Sequence, residues 1–137
     1  MTPAIREQVR TRANDCCVYC QMPQSGTRLP HEADHIRAQK HNGPTTLLNL
    51  GWSCALCNGF KGSDVSAFVP GTDELVRLFN PRVDDWDSHF EWDGPELRGK
   101  TKIAIATIGL LKINSENRVS HRQMLMQVGL FPSDLGV

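Results

Sequence analysis

Four cysteines fall in two pairs of identical spacing, Cys17-Val18-Tyr19-Cys20 and Cys54-Ala55-Leu56-Cys57. Two intervening residues let both sulfurs of a tight turn reach one ion at about 2.3 Å, and two such knuckles complete a tetrahedron. The chemistry expected is a closed structural zinc site on Cys17, Cys20, Cys54 and Cys57, because four thiolates leave no open position for a catalytic zinc. The chain has five cysteines, and an odd count of this pattern favours a metal over disulfides. Cys16 is then spare; it could pair with Cys20 instead of Cys17, but the two-residue spacing favours Cys17. Thirty-three residues separate Cys20 from Cys54, well beyond the roughly 15 to 20 of a simple zinc ribbon. A further structural unit must sit between the knuckles.

That insert carries Asp34-His35-Ile36, then Gly43-Pro44-Thr45, then Asn49-Leu50, and it is followed by Cys57-Asn58 and Lys61-Gly62. In this order, bracketed by cysteine knuckles, these residues resemble the HNH endonucleases with their ββα-metal motif, over about residues 17–63. The resemblance continues more loosely through Leu78-Phe79-Asn80-Pro81-Arg82, Trp86 and His89-Phe90, a downstream pattern of one bacterial branch of that family. It implies a metal-dependent DNA endonuclease. Asp34 and Asn58 would hold a catalytic Mg²⁺ or Mn²⁺, His35 would be the general base, and Asn49 would orient the loop and the base. Asn58 stands where many members have histidine, giving an H-N-N version whose amide oxygen suits a hard cation better than an imidazole does.

The residue types fit that chemistry. Phosphodiester hydrolysis needs a group able to take a proton from water at neutral pH, and an imidazole with an ordinary pKa of about 6.5 can do so. It also needs a cation at the phosphate, which one carboxylate and one amide oxygen can hold with positions to spare. Lys61, Arg37 and Lys40 lie close enough in sequence to touch backbone phosphates, and Arg6, Arg10 and Arg12 form the best basic stripe on the first helix. Neighbouring residues of a regular strand point to opposite faces, so Asp34 and His35 should sit at a strand end or bulge. A second reading is a zinc-stabilised nucleic-acid-binding module that keeps the shape without catalysis.

The elements that must position these residues follow from caps and periodicity. Thr2-Pro3 opens a helix over residues 3–14 that runs into the first knuckle. Residues 32–38 and 47–52 read as short strands joined by a loop over 40–46, and a helix opens near Cys54. Downstream, 75–79, 89–92 and 96–99 read as strands of a small meander, 101–114 as a largely buried helix, and 115–128 as a last helix with Gly129 after it. The fold class is α+β, a ββα-metal core with a zinc site plus a C-terminal meander and helices. The 137 residues suffice for one domain, with a core over about 14–66 and an extension over about 67–137.

Fifteen basic and fifteen acidic residues leave no net charge, so any attraction for a polyanion must be local. The longest apolar run, residues 103–111, is about half of the roughly 20 residues a bilayer requires, and the N-terminus has no signal-peptide pattern. These features predict a cytoplasmic protein, where thiols stay reduced. One ββα site cuts one strand, so a double-strand break would need a homodimer or a partner protein.

Overall fold

A computed structural model describes residues 1–133. Thr2 Oγ1 accepts from the Ile5 amide at 3.2 Å and Pro3 takes the first helical position, so α1 (Pro3–Arg12) begins where its cap dictates. Val9 and Ala13 at its buried side meet Leu50 and Trp52 in a small core of their own. The chain then turns through the first knuckle into β1 (Glu32–His35), which pairs antiparallel with β2 (Leu50–Ser53), Asp34 opposite Gly51 and His35 opposite Leu50. Cys54 caps α2 (Ala55–Lys61), its sulfur accepting from the Cys57 amide at 3.4 Å. Strand, loop, strand and helix stand in the expected order, with both strands shorter than expected. One further ladder bond runs from Ile36 N–H to the Asn49 carbonyl, after which the chain enters the loop and its two single helical turns, Gln39–His41 and Leu47–Asn49.

The expected meander is two separate hairpins instead. β3 (Ser66–Phe68) pairs with β4 (Leu75–Arg77), and β5 (Phe90–Asp93) pairs with β6 (Glu96–Gly99). The reversal between them explains the separation. Asp84 accepts from the Asn80 amide at 2.8 Å and from both terminal nitrogens of Arg77, which fixes a turn that delivers the chain to α3 (Trp86–His89). That single turn is capped by Asp85, whose carboxylate accepts from the Ser88 amide. The turn claims His89, so β5 starts one residue later than expected.

Thr101 caps α4 (Lys102–Leu110), which buries Ala104, Ala106 and Thr107. It lies so close to β6 that a Cβ on Gly99 would come 2.8 Å from the Ile105 nitrogen. α5 (Glu116–Gln127) ends as expected with Gly129 at φ 76°. Leu130 N–H donates to the Leu125 carbonyl and Gly129 N–H to that of Met126, the paired bonds of a Schellman end.

The main core joins the knuckles to the C-terminal elements, packing Tyr19, Phe79, Phe90, Leu97, Leu111 and Ile113 around the cysteines. Each large apolar side chain buried there contributes roughly 1.5–3 kcal/mol. Two indoles add polar ties from the extension to the first knuckle: Trp86 Nε1 donates to the Tyr19 carbonyl at 2.9 Å and Trp92 Nε1 to Gln21 Oε1 at 2.8 Å. The aromatics thus serve packing, as their number in a small chain suggests. Among the described residues no helix is long and apolar enough to cross a membrane.

Candidate metal centre and active site

Cys17, Cys20, Cys54 and Cys57 converge with all four sulfurs within 4.8 Å of one another, every one of them buried. Cys20 Sγ lies 3.7 Å from Cys54 Sγ. Four sulfurs about 2.3 Å from one zinc would stand about 3.8 Å apart, so the cluster fits a tetrahedral thiolate site. The knuckle closes through Cys17 N–H to the Met22 carbonyl and Gln21 N–H to the Cys17 carbonyl, both 2.9 Å, with Gln21 at φ 63°. Cys16 lies outside the cluster, its sulfur 3.4 Å from the Asn14 carbonyl, and Cys17 is the residue of this pair that joins the other three. Hydrogen bonds from the neighbouring cysteines hold the Cys20 thiol well below its ordinary value, while burial pushes those of Cys17 and Cys57 up.

Arg118 of α5 reaches into this cluster, its Nη2 3.1 Å from Cys57 Sγ and 3.8 Å from Cys54 Sγ, while Nη1 donates to the Leu111 carbonyl at 2.7 Å. Burial works against its charge, but the sulfurs of Cys57, Cys20 and Cys54 outweigh that and raise its pKa. Nothing in the spacing of the sequence marks Arg118, which lies 61 residues beyond Cys57.

The second group of residues gathers at the end of β1. Asp34 and His35 are its last two residues, so the pair does sit at a strand end. The Asp34 side chain is 10% exposed, and its Oδ2 lies 3.1 Å from the Lys61 ammonium as an ion pair. The pair is not aligned as a hydrogen bond, and Oδ2 is left buried without a hydrogen-bond partner. Burial pushes the Asp34 carboxyl up, against the pull of Lys61. His35 Nε2 is hydrogen-bonded to Thr45 Oγ1 at 2.8 Å.

Asn49 braces the loop between them. Its Oδ1 accepts from Arg37 N–H at 2.9 Å, and its Nδ2 donates to the carbonyls of Arg37 at 3.0 Å and Pro44 at 2.8 Å. Gly43 completes the brace, since a Cβ there would overlap the Arg37 carbonyl oxygen. Asn58 follows Cys57 on α2 and is half-buried; it precedes Lys61 by one helical turn and so shares the face that carries Lys61 to Asp34.

The basic residues divide. Lys61, expected against phosphate, is 2% exposed, and its ammonium is spent on Asp34 and on the His35 carbonyl, 3.0 Å away. Arg37 and Lys40 are exposed, and Arg37 with Lys61 lines a groove of about 350 Å³ that also touches Ile36, Asp64 and Asn80. The arginines of α1 are structural ties: Arg6 stacks over Trp52, Arg10 pairs with Glu7 and Asp15, and Arg12 donates to the Leu47 and Leu50 carbonyls. Thr45 bonds His35 from ten residues downstream, and only its place in the Gly43-Pro44-Thr45 loop hinted at that partnership.

A family model described as HNH endonuclease matches residues 17–64. The chain is similar to the Septu protein PtuB of Bacillus thuringiensis, 28% identical over 131 residues that make up 90% of this chain and 46% of that protein. It therefore spans less than half the length of this curated relative. No solved structure matches it. The matched residues begin at the first knuckle, contain β1, the braced loop and β2, and end just after α2. Residues 17–64 are thus the part of the chain that is similar to the HNH endonucleases.

Proposed function

We propose that this chain is a metal-dependent endonuclease that hydrolyses DNA phosphodiester bonds, with His35 as general base and Asp34 and Asn58 as ligands of Mg²⁺ or Mn²⁺. The observation that carries the reading is the buried Asp34 carboxylate, paired with the Lys61 ammonium and next to His35 at a strand end, within a segment matched by a nuclease family. A divalent cation bound there would screen the phosphate and stabilise the departing 3′ oxygen.

The chain's own residues supply the rest. With Nε2 engaged by Thr45, Nδ1 of a neutral His35 takes a proton from water as the water oxygen bonds to phosphorus in line. The bond from phosphorus to the 3′ oxygen breaks and that oxygen takes a proton from solvent, leaving a 5′-phosphate and a 3′-hydroxyl. Asn49 holds the loop that carries Thr45, which keeps the imidazole oriented. Lys61 fixes Asp34 and the His35 backbone, and Arg37 at the groove, with exposed Lys40, meets backbone phosphates. One site cuts one strand, so a double-strand break requires a homodimer or a partner protein. The cytoplasm, which keeps thiols reduced, is the setting that suits the zinc site.

Supercoiled plasmid incubated with the protein in Mg²⁺, in Mn²⁺ and in a chelator tests the reading. Metal-dependent nicking is expected, slowed about 10² to 10⁴-fold in His35→Ala with the melting temperature unchanged. Equal nicking by His35→Ala would remove the base assignment. Binding to DNA without cleavage by the parent protein would instead favour a zinc-stabilised binding module.

A further inference from the structure

Two guanidinium groups of α5 are buried, Arg118 at 7% exposure and Arg122 at 0%. Among the described residues neither forms a salt bridge with a carboxylate. A buried charge without a counter-charge is strongly unfavourable, so something else must balance these two. Arg118 bonds the sulfurs of Cys57 and Cys54, as described above. Arg122, one turn further along the same face, donates through Nε to the Pro95 carbonyl and through Nη2 to that of Ile113, and packs over Trp92. It feels the negative sulfurs of Cys20, Cys57 and Cys54, although burial as the larger influence lowers its pKa.

Charge arithmetic joins the observations. Zinc with four thiolates carries +2 − 4 = −2, and the four sulfurs sit among side chains that are 0–5% exposed. Two arginines supply +2. We propose that Arg118 is the counter-charge bonded to the zinc–tetrathiolate, the positioning residue at the sulfurs of the second knuckle, with Arg122 buried one helical turn beyond it. The zinc site is then not complete within residues 17–64: half of its electrostatics is delivered from α5, more than fifty residues downstream. The inference rests on the zinc reading of the four cysteines and is independent of nuclease activity.

Zinc content and zinc affinity of the full-length chain test it. One zinc per chain is expected by metal analysis. In competition with a chromophoric chelator at fixed pH, Arg118→Met is expected to weaken zinc about 10 to 100-fold, the usual cost of losing an outer partner of a metal ligand. Arg118→Lys, which keeps the charge but not the fork, should recover a large part of the loss. In the Co²⁺ form, the sulfur-to-metal charge-transfer band should move to lower energy in Arg118→Met and back in Arg118→Lys, because a cation at sulfur holds its lone pairs down. A merely structural residue would leave that band in place. Arg122→Met leaves the sulfur bonds of Arg118 intact and should weaken zinc by less, which keeps the proposal testable if Arg118→Met does not fold. Unchanged affinity in both methionine variants, or an unmoved band, would overturn the counter-charge. A parent protein without zinc would overturn the zinc site and this inference together.

Discussion

Replacing Lys61 with methionine tests the most exposed assumption about the candidate site, that a buried ammonium holds a buried carboxylate in place. The change keeps most of the stem and deletes two interactions, the 3.1 Å ion pair with Asp34 and the 3.0 Å bond to the His35 carbonyl. Asp34, 10% exposed, is then left without a cation. Breaking one half of a buried pair costs about 3–5 kcal/mol. An independent ceiling agrees: Asp34 can escape its charge by binding a proton, and at pH 7 this costs a carboxyl of ordinary pKa near 4 about 4 kcal/mol, at about 1.4 kcal/mol per pH unit. The penalty must therefore shrink in acid. A carboxyl whose folded pKa is raised stabilises the fold below its unfolded value and loses that stability as pH rises. Burial raises Asp34 even in the parent chain, and removing Lys61 raises it further. The assay is urea unfolding of Lys61→Met and the parent at pH 7 and pH 5, with Asp34→Asn and Lys61→Met/Asp34→Asn to close the cycle. The variant should lose about 3–5 kcal/mol at pH 7, less at pH 5, and regain much of it in the double variant. Millimolar Mg²⁺ should also return part of the loss, by restoring a cation to Asp34. A loss below about 1 kcal/mol at pH 7, the size of an exposed pair, would refute the reasoning.

Gly43→Ala should displace the loop and abolish plasmid nicking, since a Cβ there overlaps the Arg37 carbonyl oxygen; nicking within a few-fold of the parent would show that the loop tolerates the shift. Asn49→Ala removes three hydrogen bonds to the loop, at about 0.5–1.5 kcal/mol each. Its nicking should fall while zinc content stays at one per chain, so loss of zinc in this variant would contradict the separation of the two sites. Cys17→Ser and Cys54→Ser should lose zinc and the cooperative thermal transition, because the metal's binding energy is folding energy. Cys16→Ser should keep its zinc, and metal analysis of the three variants together decides the register.

What was legible in the sequence was whatever depends on local spacing. The two knuckles, the cap at Thr2, the helix opening near Cys54 and the end of the last helix at Gly129 are short-range patterns, and the order strand, loop, strand, helix follows from such local signals. The strand-end position of Asp34 and His35 was predictable because adjacent side chains alternate. What escaped depends on contacts across the chain. β4 finds β3 rather than the next strand because Asp84 fixes the reversal after it. Lys61 looks like a surface cation until α2 is laid against β1, where its ammonium is the only charge that can reach Asp34 among the salt bridges described. Arg118 and Arg122 look like the polar side of a helix, and only tertiary packing turns them inward.

α2 belongs to both sites at once. Cys54 and Cys57 hold its first turn in the cysteine cluster, and Asn58 and Lys61 occupy the turn that follows. The cluster therefore sets the angular phase of the helix, and with it the direction in which the later residues face. Each residue of a helix advances about 100°, so one residue inserted between Cys57 and Asn58 would swing Lys61 from Asp34 toward solvent, with every ligand still present. Among related sequences, the interval from Cys54 to Lys61 should therefore stay invariant in number even where its residue types drift.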